Sequence, residues 1–173
     1  FSSSEVYGSA LYEPMDENHP FNPTTTYAAG KASADLILKS YVDTFDIDAF
    51  ILRPFNNFGP FQNWKGPLAA IIPRTIKRLK NGLSPELHGD GLQKRDFIFV
   101  EDTVEYAMDL FFKLEPGDEV NISTENVISM YDLVNKIMQI MDIDIEIDYK
   151  QRRTSDVELH IASTKKLNKL SKI

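Results

Sequence analysis

Tyr27 and Lys31, in the stretch YAAGK, are the first residues whose types and spacing point to chemistry. They are four positions apart, so on a helix both side chains lie on one face, about one turn apart. A nearby ammonium stabilises phenolate over phenol and lowers a tyrosine pKa that is about 10 in water. The pair can therefore supply a base near neutral pH, although the same spacing also occurs on ordinary surface helices.

The stretch SSSEVYG, near the start of the chain, carries hydroxyl groups and a carboxylate in adjacent positions. Ser3, Ser4 and Glu5 precede a β-branched residue, an aromatic residue and a glycine, which is neither a good helix start nor an ordinary surface loop. Two interpretations of Glu5 stay open. It is either a catalytic carboxylate or a surface acid near the mouth of a site.

Several arginines and one asparagine are candidates for binding an anionic ligand. Asn56 stands in FNNFGP and Arg95 in KRDFIFV, while Arg153 and Asp156 stand in RRTSDV. Arginine offers a planar fork of donors that matches phosphate oxygens, which lysine does not. The alternatives are turn chemistry for Asn56, because Asn-Asn before Phe-Gly is a natural turn, and solvated surface charges for the arginines.

The composition of the chain limits the kinds of partner that these residues can bind. The chain has 173 residues, of which 42% are hydrophobic, and it has no cysteine. Nineteen Lys and Arg against twenty-six Asp and Glu leave a formal charge of −7, which disfavours nucleic acid or an anionic membrane as a partner of the whole molecule. The apolar runs are too short to span a membrane. We expect a cytoplasmic globular protein that binds any anionic ligand at a local site.

Hydrophobic periodicity predicts an α/β protein in which strands alternate with helices. An exposed loop from Leu11 to Pro23 precedes a helix that Thr24 to Thr26 can cap and that runs from about Tyr27 to Thr44. Further helices are predicted at residues 73–79, at 104–112 behind a cap at Asp102, and at 130–141 behind a cap at Ser129. Strands are predicted at residues 49–52, 97–100 and 143–149.

The remaining candidates are weaker. Three histidines are scattered without the spacing of a metal site, and we expect loop or surface positions for them: His19, His88 and His160. Basic residues along the helix at 74–80 give it a positive flank, which in an acidic chain predicts a solvated face rather than a nucleic-acid contact.

The ordered motifs SSSEVYG, YAAGK, LRPFNNFGP and GDGLQKRDFIFVEDT resemble those of the NAD-dependent epimerase/dehydratase family. These proteins are extended short-chain dehydrogenase/reductases that act on nucleotide sugars, and the resemblance covers nearly all of the chain. It implies a Rossmann fold that holds NAD, a smaller C-terminal α/β domain that holds the nucleoside diphosphate, and sugar chemistry at their boundary.

The resemblance also implies roles for individual residues. In such enzymes the YxxxK pair supplies a tyrosine base and a lysine that also holds the nicotinamide ribose, which are the roles implied for Tyr27 and Lys31. Ser3 occupies the place of the residue that contacts the sugar hydroxyl being oxidised, and Pro54 falls among the cofactor contacts.

The diphosphate contacts of the family have matches as well. Asn56 and Arg95 match two residues that bind the diphosphate. RRTSDV resembles a later RRxGD segment, so Arg153 corresponds to a second clamp and Asp156 to a ribose contact.

Glu5 separates the activities within the family. It sits where 4,6-dehydratases and the related decarboxylases carry a glutamate, whereas plain epimerases usually lack an acid there. After oxidation at C4 the C5 proton is acidic, because its carbanion is delocalised into the ketone, and a carboxylate can remove it while water leaves C6. Thymidine-diphosphoglucose dehydratases place an Asp before this glutamate as the acid for the departing water; Ser4 stands here, as in GDP-mannose and some UDP-sugar dehydratases.

The sequence therefore predicts a nucleotide-sugar 4,6-dehydratase. A 4-epimerase or a UDP-glucuronate-type decarboxylase is the alternative among enzymes, and a catalytically silent nucleotide-sugar-binding homologue is the alternative outside them. Because the family pairs its subunits through the helix that carries YxxxK, a homodimer is implied for the whole enzyme.

The glycine-rich dinucleotide fingerprint expected of such an enzyme is absent from these residues. We therefore expect the chain to be the C-terminal half of a longer enzyme, and to show no turnover and weak or no NAD binding alone. Residues 1–62 and 95–115 are expected in the Rossmann domain, and residues 63–94 and 116–173 in the nucleotide-sugar domain.

Overall fold

The computed structural model describes residues 1–66, 69–152 and 157–173. The helices of these residues are α1 (Thr26–Phe45), α2 (Ile71–Lys80), α3 (Val100–Phe111), α4 (Met130–Met141) and α5 (Lys165–Leu170). The strands are β1 (Ile51–Pro54), β2 (Asn56–Phe58), β3 (Glu86–His88), β4 (Lys94–Phe99), β5 (Glu119–Ile122), β6 (Val127–Ser129), β7 (Asp148–Lys150) and β8 (Leu159–His160). A 3₁₀ helix, Ser4–Tyr7, precedes them. No helix in the described ranges is long and apolar enough to cross a membrane.

The strands form small sheets that are mostly parallel. β1 pairs with β5 and β3 pairs with β7, both in parallel. β4 pairs in parallel with β2 and β8 and antiparallel with β6. Helices connect the parallel neighbours, as parallel pairing requires, and the α/β class predicted from periodicity is confirmed.

Local capping explains where two helices begin. The Thr25 hydroxyl accepts a hydrogen bond from the Ala28 amide at 3.1 Å, and the Ser129 hydroxyl accepts one from the Asp132 amide at 2.9 Å. These are the predicted starts of α1 and α4. The predicted cap at Asp102 is wrong, because α3 begins at Val100 and Asp102 lies inside its first turn. A carboxylate there still favours the positive end of the helix dipole.

Residues 143–149, in which apolar and polar residues alternate, form only part of the strand that was predicted for them. Only Asp148–Lys150 forms a strand, and most of residues 143–147 is irregular backbone. Three isoleucines of this segment instead pack against the hydrophobic cluster between α2 and α4: Ile143, Ile145 and Ile147. Alternation there reflects packing onto a helix pair rather than pairing within a sheet.

Two further hydrophobic clusters organise the rest of the chain. One joins β1 and β5 to α3 and α5. The other packs Val6 and Tyr7 of the SSSEVYG stretch against Ala32 of α1 and Phe55. The domain division stays a prediction; β5, from the segment assigned to the second domain, pairs with β1 from the first.

Candidate active site

Residues 2–8 form a tight bend, called here the N-terminal turn. The Ser3 hydroxyl caps its 3₁₀ helix by accepting a hydrogen bond from the Glu5 amide at 3.3 Å. Gly8 ends the turn at φ 59°, and a Cβ on it would lie 1.8 Å from the Asn22 carbonyl oxygen. Only glycine satisfies both conditions, so Gly8 is the residue type that this bend requires.

The Glu5 carboxyl lies in a partly buried position within the N-terminal turn. Burial raises its pKa above the ordinary value of 4.5, and the nearby Arg95 guanidinium offsets only part of that effect. Ser4, beside it, is buried. A partly buried carboxyl with a raised pKa has the protonation behaviour expected of an acid–base group in a cleft rather than of a freely solvated surface acid.

Helix α1 brings Tyr27 and Lys31 close to the N-terminal turn. Its buried side carries Ala28 and Ala32, whose small side chains let the helix approach closely. The Lys31 ammonium donates to the Phe1 carbonyl oxygen at 3.0 Å, directly before the turn. The Tyr27 side chain is 57% exposed, so its phenol is open to a ligand.

Asn56 and Arg95 lie together in a second place, a cavity of about 290 Å³. The Asn56 amide donates to the Asp96 carbonyl oxygen at 2.8 Å, and Arg95 donates to the Val157 carbonyl oxygen at 2.7 Å. Ser3, Glu5, Tyr27 and Lys31 are not among the lining residues. The electrostatic effect of Arg95 on Glu5 links the cavity to the N-terminal turn.

The described lining of the cavity is positively charged although the chain is acidic. Its charged side chains are three arginines, Arg74, Arg78 and Arg95, against one glutamate, Glu86. Arg74 and Arg78 both pair with Glu86, and Arg78 does so at 3.0 Å. The expectation that the basic flank of α2 is a purely solvated face is wrong for these two residues. The i, i+4 spacing of Arg74 and Arg78 could have indicated that both side chains lie on the same face of the helix.

The roles predicted for three further residues stay predictions. Pro54 ends β1 and is half-buried, and its cofactor role stays a prediction. Arg153 and Asp156 lie outside the described residues, so their roles as second clamp and ribose contact also stay predictions.

Two of the histidines are buried; His19 lies in a loop, as expected, whereas His160 lies in strand β8 and was expected in a loop or at the surface. His19 is 2% exposed and accepts a hydrogen bond from the Leu11 amide at 2.9 Å. His160 is 1% exposed, lies opposite Arg95 in the β4–β8 register, and has its ring 5.1 Å from that of Phe55. Burial lowers the pKa of His160 to about 4, an effect that Arg95 reinforces and the Ser4 backbone partly offsets. No feature of its sequence neighbourhood signals this burial.

Acidification should destabilise the folded chain through His160. Its pKa falls from an ordinary 6.5 to about 4 on folding, so its contribution to stability is complete above pH 6.5 and is lost as the pH falls toward 4. The difference corresponds to about 3 kcal/mol. Between about pH 7 and pH 4, the unmodified protein should therefore lose about 3 kcal/mol of unfolding free energy relative to His160→Leu in denaturant titrations.

Phe55→Leu is the control for this measurement. It disturbs the ring that packs on His160 but keeps the imidazole, so the acid-induced loss should persist in that variant. Parallel stability curves for the unmodified protein and His160→Leu would contradict the assignment.

Comparison with known proteins gives one match of a family model and several relatives. The family model described as GDP-mannose 4,6 dehydratase matches residues 1–172. The dTDP-D-glucose 4,6-dehydratase of Homo sapiens is 31% identical over 172 residues, which cover 95% of this chain and 48% of that protein. The chain thus spans about half the length of that relative.

Solved structures are similar over nearly the whole chain. A UDP-N-acetylglucosamine 4-epimerase from Methanobrevibacter ruminantium M1, in complex with UDP-N-acetylmuramic acid, is 35% identical with a TM-score of 0.92, covering 98% of this chain and 55% of the other. The dTDP-glucose 4,6-dehydratase DesIV from Streptomyces venezuelae, with NAD bound, is 25% identical with a TM-score of 0.90, covering 97% and 51%. The predicted Rossmann-like α/β fold is confirmed.

Proposed function

This chain belongs to the NAD-dependent epimerase/dehydratase family, and on that premise we propose that the protein carrying it is a nucleotide-sugar 4,6-dehydratase. The observation that carries the proposal is the partly buried Glu5 carboxyl, whose pKa is raised, in a turn that packs against the helix of Tyr27 and Lys31. A carbon acid next to a ketone needs such a base, whereas inversion at C4 alone does not.

The residues of α1 and the N-terminal turn divide the proposed reaction between them. Tyr27 takes the proton from the C4 hydroxyl while Ser3 orients that hydroxyl, and Lys31 stabilises the phenolate. Glu5 then removes the C5 proton and passes it to the C6 hydroxyl, which leaves as water. Tyr27 and Glu5 thus each accept one proton from the sugar.

The donor set of α1 fits the ribose of a nicotinamide nucleotide. Tyr27 is exposed and Lys31 offers an ammonium on the same helix face, so both reach a ligand lying along the helix. When bound, NAD would accept the hydride removed at C4 and return it at C6.

The cavity beside Arg95 is the proposed place of the substrate's diphosphate. Its three arginines against one glutamate attract an anion that the rest of the acidic surface repels. Asn56 adds an amide at the same wall. Arg95 is close enough to Glu5 to affect its pKa, so a diphosphate held here would place the attached sugar toward the N-terminal turn.

A 4-epimerase is the second candidate, favoured by the similarity to the solved Methanobrevibacter ruminantium epimerase. A UDP-glucuronate-type decarboxylase and a catalytically silent homologue are the remaining alternatives. Each predicts a different outcome with the same substrates, so one assay separates them.

That assay incubates the complete protein and NAD with UDP-N-acetylglucosamine, UDP-glucose, UDP-glucuronate, GDP-mannose and dTDP-glucose in parallel. A 4-keto-6-deoxy sugar from one of them supports the dehydratase. A C4-inverted sugar without elimination identifies an epimerase, loss of carbon dioxide a decarboxylase, and binding without any product a silent homologue.

We also propose a homodimer in the cytoplasm. One side of α1 exposes a stripe of large apolar side chains at helical spacing: Leu36, Ile37, Tyr41 and Phe45. A stripe of this kind is typical of a surface that pairs with another helix.

A further inference from the structure

A buried ion pair joins helix α1 to strand β1 beneath the candidate active site. Arg53 is fully buried, and its Nε donates to Asp35 Oδ2 at 3.0 Å. Arg53 also pairs with Glu119 of β5. Burial would raise the pKa of Glu119, but Lys39 and Arg53 more than offset it and hold that pKa below the ordinary value. The charges therefore balance within the cluster.

Both ends of the N-terminal turn are tied to this pair. The Ser2 hydroxyl donates to Asp35 Oδ2 at 2.7 Å, and Arg53 Nη1 donates to the Tyr7 hydroxyl oxygen at 3.0 Å. The Tyr7 hydroxyl then donates to Asn121 Oδ1 at 2.8 Å. Residues 3–6, which include two of the proposed catalytic residues, thus lie between two anchored positions.

The same pair is tied to the other half of the site by its position on α1. Asp35 follows Lys31 by four residues, so it lies one helical turn further along the same side. Any shift of α1 along the sheet would break the hydrogen bonds that Asp35 makes with both Ser2 and Arg53.

We propose that Asp35 and Arg53 are positioning residues that hold Ser3 and Glu5 in register with Tyr27 and Lys31. They act through Ser2 and Tyr7, and the catalytic consequence rests on the proposed function. A buried ion pair is a poor device for stability alone, because apolar replacements are often as stable. Directional hydrogen bonds do supply geometry, and acid–base groups must be held within about 0.5 Å of their productive place.

Removing Arg53 is not the best test, because an unpaired buried Asp35 would endanger folding. Ser2→Ala and Tyr7→Phe each remove one hydroxyl and keep the charges paired, and Tyr7→Phe removes the hydrogen bond to Asn121 together with the one from Arg53. Hydrogen exchange should report the loss directly, through the amides of Val6 and Gly8, which donate to the carbonyl oxygens of Ser3 and Glu5. In the complete protein we expect exchange there to be about tenfold faster in each variant, with α4 unchanged.

The catalytic readout is a double-mutant cycle with Glu5→Gln. Ser2→Ala alone should lower kcat about tenfold and leave KM nearly unchanged, because the substrate cavity is not touched. In the Glu5→Gln background the same change should have little further effect on elimination, since Ser2 acts through the turn. A general loss of folded protein would instead multiply the two defects.

Ser33→Ala is the matched control, because it removes a hydroxyl on the exposed side of α1 that donates to the Ala29 carbonyl oxygen of the same helix. It should change neither exchange in the turn nor kcat. Unchanged exchange at Val6 and Gly8 in both test variants overturns the positioning role, as do multiplicative defects in the cycle. If the complete protein converts no nucleotide sugar, the proposed function fails, and the exchange result alone decides the positioning role.

Discussion

Tyr27→Phe should lower kcat of the complete protein on its nucleotide sugar by about three orders of magnitude, because it removes the group proposed to take the C4 hydroxyl proton. The side chain is 57% exposed, so the change should cost little stability. KM should stay within about threefold, since the lost interaction is one made in the transition state. Initial rates and a thermal unfolding curve on the same preparation measure both quantities.

Tyr131→Phe is the control for that experiment. It makes the same chemical change on α4, at an exposed side chain that is not among the described residues lining the cavity, and it should retain full activity. A loss of less than tenfold in Tyr27→Phe would exclude Tyr27 as the base.

Glu5→Gln should separate the two halves of the proposed reaction. Elimination across C5 and C6 should slow by at least about 10²-fold, because the amide cannot accept the C5 proton. Oxidation at C4 does not need this carboxylate, so reduced nicotinamide should still form on mixing with the sugar. Deuterium uptake at C5 from heavy water, followed by mass spectrometry, should fall together with the 4-keto-6-deoxy product.

The pH dependence of elimination should follow the ionisation of Glu5. Glu5 acts as its carboxylate, so activity is lost as the pH falls through its pKa. Because burial raises that pKa above 4.5, the loss should occur at a higher pH than an ordinary glutamate would give. Glu13→Gln, at an exposed position of the following loop, should leave both rate and profile unchanged. Normal product formation by Glu5→Gln would show that Glu5 is a surface acid.

Short-range signals in the sequence were sufficient for part of the fold. Thr25 and Ser129 cap α1 and α4 because each side chain reaches an amide three residues away, a distance that sequence spacing expresses directly. The positive φ of Gly8 is likewise a local property, because glycine adopts it without strain. β6 and β8, of three and two residues, were not predicted, because they are too short to show a period.

Contacts between residues that are far apart in the chain explain which features of the site the sequence did not predict. The residues of the buried network, Ser2, Asp35, Arg53 and Asn121, are far apart in the chain, and each has a type more often found at the surface. His160 is buried because β8 pairs with β4, and Arg74 lines a cavity because it pairs with Glu86 of β3.

By itself the sequence determined the family, the α/β class and the identity of the candidate catalytic residues, because motif order and i, i+4 spacing are properties of the chain alone. Only the tertiary structure decided that a carboxylate and an arginine meet beneath the N-terminal turn, that Glu5 is partly buried near Arg95, and that positive charge gathers in one cavity of an acidic protein. Those outcomes depend on burial and on contacts between distant segments, and burial is what changes the free energy of a charged group.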